Sequence, residues 1–484
     1  MKVEPRHAME RGSAWTIASA IFSCQASPTR PSGPNPLPFP DWATYNTAPM
    51  ESARPRASLQ TIGCRLNQAE TALLADRLRQ DGYDLVEPGH RTDLLVLNTC
   101  SVTDHAESDC RYVVRRTLQQ SPHAFVAVTG CYAQTGAEAL SLMPGIDLIV
   151  GTQFKMSLPN LLPPPQALRK RPAPHLMHSR TIDRDDFVLS GAGDYDSKRA
   201  NLKIQDGCNF MCSFCLIPFA RGHERSRQMD DTLREATALT DRGHRELVLT
   251  GVNLGRYAQD GRTLLDLIRR LEQIPSLDRL RISSIEPTTV SDDLLEHMAT
   301  SPKLCRHLHL PLQSGDDGIL QAMNRRYRVR DYAAFVEKAR GLMPDIGLGT
   351  DVMVGFPGEG EREFSNTLAL LSDLPLAYIH VFSFSPRPGT AAAGLPGQVD
   401  PAIIRTRSKA LAELARAKRL AFDQAYVGRT VRVLFETPND EGLWNGLTHN
   451  YIRVGTRSER DLTNQFMPVE ITGVMDGLAV GLLQ

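Results

Sequence analysis

The chain has 484 residues, 41% hydrophobic and 23% charged, enough for two to four separately cored domains. Its 55 basic and 55 acidic residues cancel, so net charge predicts neither nucleic-acid nor membrane binding, and any RNA contact must come from local patches. No apolar run reaches the ~18–20 residues that span a bilayer. Nine cysteines are too sparse, and odd in number, for a disulfide scaffold; they read as reduced thiols of a cytoplasmic protein.

Residues 14–22 (AWTIASAIF) follow Arg6 and Arg11 and faintly resemble an export segment ending near Cys24, but Thr16 and Ser19 interrupt the run. Pro28, Pro31, Pro34, Pro36, Pro38 and Pro40 then prevent helix or sheet. Residues 1–55 are expected to be a disordered extension, with Met50 as an alternative start.

Over 56–160 a strand-like run (SLQTI) ends at Gly63-Cys64, a second (DLLVLN) at Cys100 and a third (AFVAVT) at Gly130-Cys131. Helical patterns follow them, one over Asn67 to about Gln80 and one from Thr103. Strand, loop and helix repeated predicts a parallel sheet whose strand C-termini share one edge, so the three cysteines should converge. Prolines and Arg169-Lys170-Arg171 mark residues 161–193 as a linker. Residues 194–423 carry six candidate strands: 201–205, 246–250, 279–283, 307–311, 347–354 and 377–384. With helical patterns between them, they suit an incomplete (β/α)6 barrel. A basic helix over Ile404–Ala425 leads to residues 424–484, whose short alternating strands suit a small β-barrel. The fold class is α/β.

Directly after the first barrel strand stands Cys208-Asn-Phe-Met-Cys212-Ser-Phe-Cys215. Three thiolates on one loop can hold three irons of a [4Fe–4S] cluster and leave one open. A structural zinc ion wants a fourth ligand, and none is evident beside the loop, although His223 is near. Thr250, Gly251 and Asn253 end the second strand, where glycine allows close backbone approach to a ligand. Ser284, Glu286, Gln313 and Asp351 end or follow later strands and are candidate contacts, with turn or cap roles as the alternative. Cys110 and Cys305 fit no motif and read as core residues.

The C-x3-C-x2-C spacing with Phe214 before the last cysteine resembles the radical S-adenosylmethionine (SAM) superfamily. That resemblance implies SAM on the open iron, Phe214 near its adenine, and cleavage to a 5′-deoxyadenosyl radical. The Gly63-Cys64-Arg65-Leu66-Asn67-Gln68, Asn98-Thr99-Cys100-Ser101 and Gly130-Cys131-Tyr132-Ala133-Gln134 runs resemble the N-terminal domain of methylthiotransferases, and the terminal barrel resembles a TRAM domain. The likeness covers about residues 57–484. It implies that Cys64, Cys100 and Cys131 hold a second [4Fe–4S] cluster carrying the transferable sulfur, and that an external electron donor and a sulfur donor are needed.

Cys64–Glu70, Ile204-Gln205-Asp206-Gly207 and Pro218-Phe219-Ala220-Arg221-Gly222 are similar to the group acting on C2 of N6-threonylcarbamoyladenosine at tRNA position 37, although Leu66 stands where that group has valine. The implied partner is the tRNA anticodon loop, whose bases can be splayed without opening a duplex. Arg221, Arg225 and Arg227, beside the cluster loop, are the expected RNA contacts, with the basic helix and terminal barrel as further ones. Two alternatives carry the same chemistry to another tRNA adenosine or to a ribosomal-protein aspartate. A third is a non-catalytic iron–sulfur sensor or RNA-binding protein.

Overall fold

The computed structural model describes residues 54–101, 104–182 and 199–484. The extension expected at the N-terminus lies outside the described residues up to position 53, as does Thr103, the expected start of the helix observed over Asp104–Gln120.

The first sheet has six parallel strands, in the order Asp84–Leu85, Arg56–Thr61, Leu94–Thr99, Phe125–Gly130, Leu148–Val150 and His175–Met177. Its two central strands, LLVLNT and FVAVTG, are buried throughout. Continuous apolar runs are what a parallel sheet covered on both faces requires. Leu94 and Val96 pack with Leu74 and Leu78 of the helix Arg65–Gln80, while Leu95 and Leu97 pack with Cys110 and Val114 on the opposite face. The strands beyond the three expected ones are only two or three residues long, too short for any periodicity to show. The last of them comes from the proline-rich segment expected as a linker, where Lys170 also pairs with the buried Asp147 at 2.6 Å. That stretch therefore finishes the sheet edge.

Six parallel barrel strands follow as two groups of three. Arg199–Lys203, Glu246–Thr250 and Arg279–Ile282 form one; His307–His309, Gly347–Val354 and Tyr378–Ser383 form the other. Backbone bridges at Leu280–Leu304 and Ser284–His309 connect them. Outward-facing Leu202, Leu247, Leu249, Leu280, Leu348 and Val352 build one core with the flanking helices. Inward-facing positions are left free for chemistry, with the loops at the strand C-termini above them.

A 24-residue helix, Pro401–Gln424, leads to a closed five-stranded barrel of Thr430–Pro438, Trp444–Leu447, Arg453–Thr456, Phe466–Met475 and Leu478–Leu483. This barrel docks through backbone carbonyls: Arg279 donates to Leu447 O at 2.9 Å, and Arg281 to Thr448 O and His449 O at 2.9 and 3.1 Å. The α/β class, the parallel N-terminal sheet, the open six-unit barrel and the small terminal β-barrel all agree with the sequence reading.

Candidate active site

In the first sheet Thr61 pairs with Asn98, and Thr99 with Gly130. Cys100 and Cys131 therefore leave neighbouring strands at one level, with Cys64 three residues beyond Thr61. Gly63 holds φ +111°, and a Cβ there would stand 2.6 Å from Cys100 Cβ and 2.9 Å from its Sγ. The Cys64 loop can lie against Cys100 only because this position has no side chain. Asn67 Nδ2 ties the same loops together, donating to Ile62 O and Thr99 O at 3.0 Å each. Cys100 and Cys131 are buried and Cys64 is exposed. Burial pushes the Cys131 thiol up, opposed by Arg221 and Lys155 and reinforced by nearby Cys64.

Cys208, Cys212 and Cys215 are half-buried on the loop that follows the first barrel strand. Each sulfur faces an N–H donor at 3.4 Å: Phe210 N on Cys208, Ile217 N on Cys215 and Arg325 Nη1 on Cys212. Donors placed this way suit sulfur that carries negative charge on a metal. Burial, reinforced by Cys212 and Cys208 and opposed by the Ile217 N–H and Arg325, pushes the Cys215 thiol up to about 12, so a free thiol here would stay protonated at neutral pH. A tetrahedral zinc ion needs its sulfurs about 3.8 Å apart. Among the described residues neither cysteine set brings three sulfurs within 4.8 Å of one another. Neither set is gathered as tightly as one tetrahedral ion requires, and three thiolates with one iron left open are the donor set of a [4Fe–4S] cluster.

The remaining expected contacts divide. Glu286 is half-buried and ion-paired with Arg325, which thereby links it to Cys212. Burial, the larger effect, raises the Glu286 carboxyl, and Arg325 opposes it. Gln313 takes φ +73° and pairs through its backbone with Asp351 and Met353. Asp351 lies between His309 and His380. Gly251 and Asn253 are held by Gln205, whose Oε1 accepts Val252 N at 2.8 Å and Asn253 N at 2.9 Å. Asn253 Oδ1 accepts from Thr289 Oγ1 at 3.1 Å, so it braces the turn after Glu286. Thr250 is buried with its hydroxyl donating to Val248 O, and Ser284 bridges to His309 through the backbone. Phe214 packs edge-on against Phe356 at 6.5 Å, beside Met323 and Phe384.

The expected RNA contacts near this loop need correction. Arg221 is 1% exposed and donates to Glu70, Asp206 and Asn67. Arg227 is equally enclosed, paired with Asp231 and Glu235. Arg225 is half-buried and donates to the carbonyls of Arg221 and His223 at 3.1 Å each. Buried carboxylates, not a solvent-facing surface, claim Arg221 and Arg227. Sequence reading missed Gln205 and Arg325. Gln205 lay within the Ile204–Gly207 run, but no spacing or period singles out Arg325.

Residues 202–371 match the radical SAM superfamily, and residues 56–151 match a family described as Uncharacterized protein family UPF0004. The chain is 33% identical over 423 residues to the threonylcarbamoyladenosine tRNA methylthiotransferase of Bacillus subtilis, covering 86% of this chain and 93% of the relative. It is 34% identical over 425 residues to the tRNA-2-methylthio-N6-dimethylallyladenosine synthase of Coxiella burnetii, covering 85% and 96%. A solved radical SAM methyltransferase of Kitasatospora setae superposes with a TM-score of 0.52 at 14% identity, covering 70% of this chain and 77% of that one. That last likeness is one of fold.

Proposed function

This chain belongs to the tRNA methylthiotransferases of the radical SAM superfamily, and from that premise we propose that it adds a methylthio group to C2 of N6-threonylcarbamoyladenosine at position 37 of tRNA. The enzyme is a transferase that uses SAM and two [4Fe–4S] clusters, which sets aside the non-catalytic alternative. The observation that carries the reading is the pair of cysteine sets, each at the strand C-termini of its own parallel sheet, on two domains joined through Arg221 and Glu70. The threonylcarbamoyl substrate is supported by the Cys64–Glu70 and Ile204–Gly207 runs together with relatives of that name. Similarity to dimethylallyladenosine synthases favours a second reading, in which the modified base carries an apolar group.

In this reading Cys208, Cys212 and Cys215 would hold the cluster that binds SAM, and Cys64, Cys100 and Cys131 the other. Bound together, cluster and SAM supply the one-electron chemistry that removes hydrogen from an unactivated carbon, a step beyond any acid–base side chain. The protein's own work is placement. Arg325 holds Cys212 Sγ and Glu286 in fixed relation. Gln205 fixes the Gly251–Asn253 backbone above the barrel. The Phe214, Phe356 and Phe384 rings pack together against one flank of the cluster loop. RNA contact falls to residues that remain exposed: Arg405, Lys409 and Arg416 on the long helix, and Arg453, Arg457 and Arg460 on the terminal barrel. An external one-electron donor and a sulfur donor complete the reaction. No helix among the described residues is long and apolar enough to cross a membrane.

The test is one anaerobic reaction, with SAM, reductant and tRNA carrying threonylcarbamoyladenosine, followed by nucleoside mass spectrometry. Cys64→Ala, Cys100→Ala or Cys131→Ala should abolish the methylthio product while 5′-deoxyadenosine still forms. Full methylthiolation by these variants would sink the role given to the first set. Product only on tRNA carrying dimethylallyladenosine would replace the substrate.

A further inference from the structure

Outside both cysteine sets, three polar side chains converge inside the βα barrel. His309 Nε2 lies 3.0 Å from Asp351 Oδ1, and His380 Nδ1 lies 3.3 Å from the same oxygen. The three donor atoms lie within 4.8 Å of one another, a convergence that no other three His, Cys, Asp or Glu side chains reach among the described residues. They stand on three adjacent strands. Asp351 and His380 are directly paired in parallel register, and the strand carrying His309 pairs with the other edge of the Asp351 strand. Sheet geometry, not loop conformation, therefore sets their spacing.

We propose that His309, Asp351 and His380 form a binding site for one divalent transition-metal ion. Two imidazoles and one carboxylate are a donor set for zinc, iron(II) or manganese(II). Ligands held at ~2.1 Å from a common ion stand about 3.0 Å apart at right angles and about 3.4 Å apart in a tetrahedron. The two separations fall at these values.

The surroundings match what a ligating histidine needs. Nδ1 of His309 lies 3.1 Å from the Tyr378 hydroxyl, which also lies 2.9 Å from His307 Nε2. With His309 Nδ1–H donating to Tyr378, and Tyr378 donating to His307, the Nε2 lone pair of His309 is left free to face an ion. Such an outer partner fixes both the tautomer and the ring orientation. The site is also open on one side. The His380 side chain is 56% exposed, against 10% for His309 and 21% for Asp351. That open side leaves room for water or an anionic oxygen to complete the coordination. The site does not depend on which adenosine the enzyme modifies.

The experiment uses the anaerobically reconstituted enzyme, dialysed against buffered micromolar zinc(II), with zinc and iron measured in the same sample by elemental analysis. The expected result is about one zinc per chain beside about eight irons. His380→Ala and Asp351→Asn should weaken zinc uptake about tenfold or more at unchanged iron content. Unchanged iron also reports that the variants remain folded. A crystal soaked in zinc should give an anomalous peak at the zinc edge between His309 and Asp351. No zinc on the wild-type enzyme, or equal zinc on wild type and variants, would overturn the site. Equal uptake would assign the zinc to cysteines and the two Asp351 contacts to hydrogen bonds alone.

Discussion

Arg221 and Glu70 meet between the N-terminal sheet domain and the βα barrel, with Nη1 3.0 Å from Oε1 and Nη2 3.3 Å from Oε2. Glu70 lies on the helix that begins after Cys64, and Arg221 ends the short helix that begins after Cys215. One ion pair thus connects the two cysteine loops. Lys155 and Lys203 also reach Glu70, at 2.6 and 2.7 Å, and Arg221 reaches Asp206 at 3.0 Å, all of them buried. Removing one partner of a buried ion pair costs about 3–5 kcal/mol when the other is left uncompensated; here Glu70 keeps Lys155 and Lys203, so the cost is that of the lost charged hydrogen bonds, about 1.5–3 kcal/mol. Arg221→Met should therefore lower the melting temperature clearly in a thermal scan, while tRNA affinity and its salt dependence stay the same. Unchanged melting with weakened, less salt-dependent tRNA binding would return Arg221 to an RNA role.

Acid should release the terminal barrel. Burial alone would raise the Glu246 carboxyl, but Arg279, Arg281 and Arg199 outweigh it and hold it down at about 2. A lowered carboxylate contributes stability above its ordinary value near 4.3 and loses it as pH falls through the folded value. The contribution, about 3 kcal/mol, is complete at pH 5 and lost between about pH 4 and pH 2. Arg279 and Arg281 are the residues that hold the 447–449 carbonyls, so docking of Thr430–Leu483 should fail in that window. Hydrogen exchange across this segment is the measurement. Glu246→Gln should show raised exchange already at pH 7; identical exchange in variant and wild type would dismiss the link.

How far the fold could be read depended on length and burial. Leu94–Thr99 and Phe125–Gly130 are long, fully buried apolar runs ending at cysteines, so both the strands and the convergence of Cys64, Cys100 and Cys131 were visible in the residues. His175–Met177 was not, since three residues among prolines carry no period. Arg221 and Arg227 misled for a different reason. A charged residue near a ligand loop reads as solvated unless its partner is known: Glu70 stands 151 residues from Arg221 in sequence, and although Asp231 and Glu235 lie near Arg227 in the chain, only the fold shows that Arg227 turns inward to them. His309, Asp351 and His380 likewise come from separate strands, and only the sheet register brings them to one place.

Iron content tests the two cysteine sets as separate sites. Anaerobic reconstitution should give about eight irons per chain, and changing Cys208, Cys212 and Cys215 together to Ala should leave about four. SAM cleavage should vanish with them. The first sheet has its own cores, on both faces, away from the barrel core, so it should fold and keep its metal in the triple variant. Retention of all the iron would end the assignment of this triad.

Arg325 offers a test finer than loss of a ligand. Its guanidinium donates to Cys212 Sγ at 3.4 Å, pairs with Glu286 and lies 5.0 Å over the Tyr327 ring. A positive donor at a cluster sulfur favours the reduced, more negative state. Arg325→Leu should therefore make the triad's cluster harder to reduce. A charged hydrogen bond is worth about 1.5–3 kcal/mol, and 59 mV corresponds to about 1.4 kcal/mol for one electron, so the midpoint should fall by roughly 60–120 mV. Iron content should not change, because every thiolate remains. An EPR-monitored redox titration measures the shift, and Arg325→Lys, which keeps the charge but not the fork, should recover part of it. Glu286→Gln supplies the control. It removes a negative charge near the same sulfur but leaves Arg325 in place, so the midpoint should move up. A midpoint unmoved by Arg325→Leu, with activity lost, would mean that Arg325 serves only to hold Glu286 and the Tyr327 turn in shape.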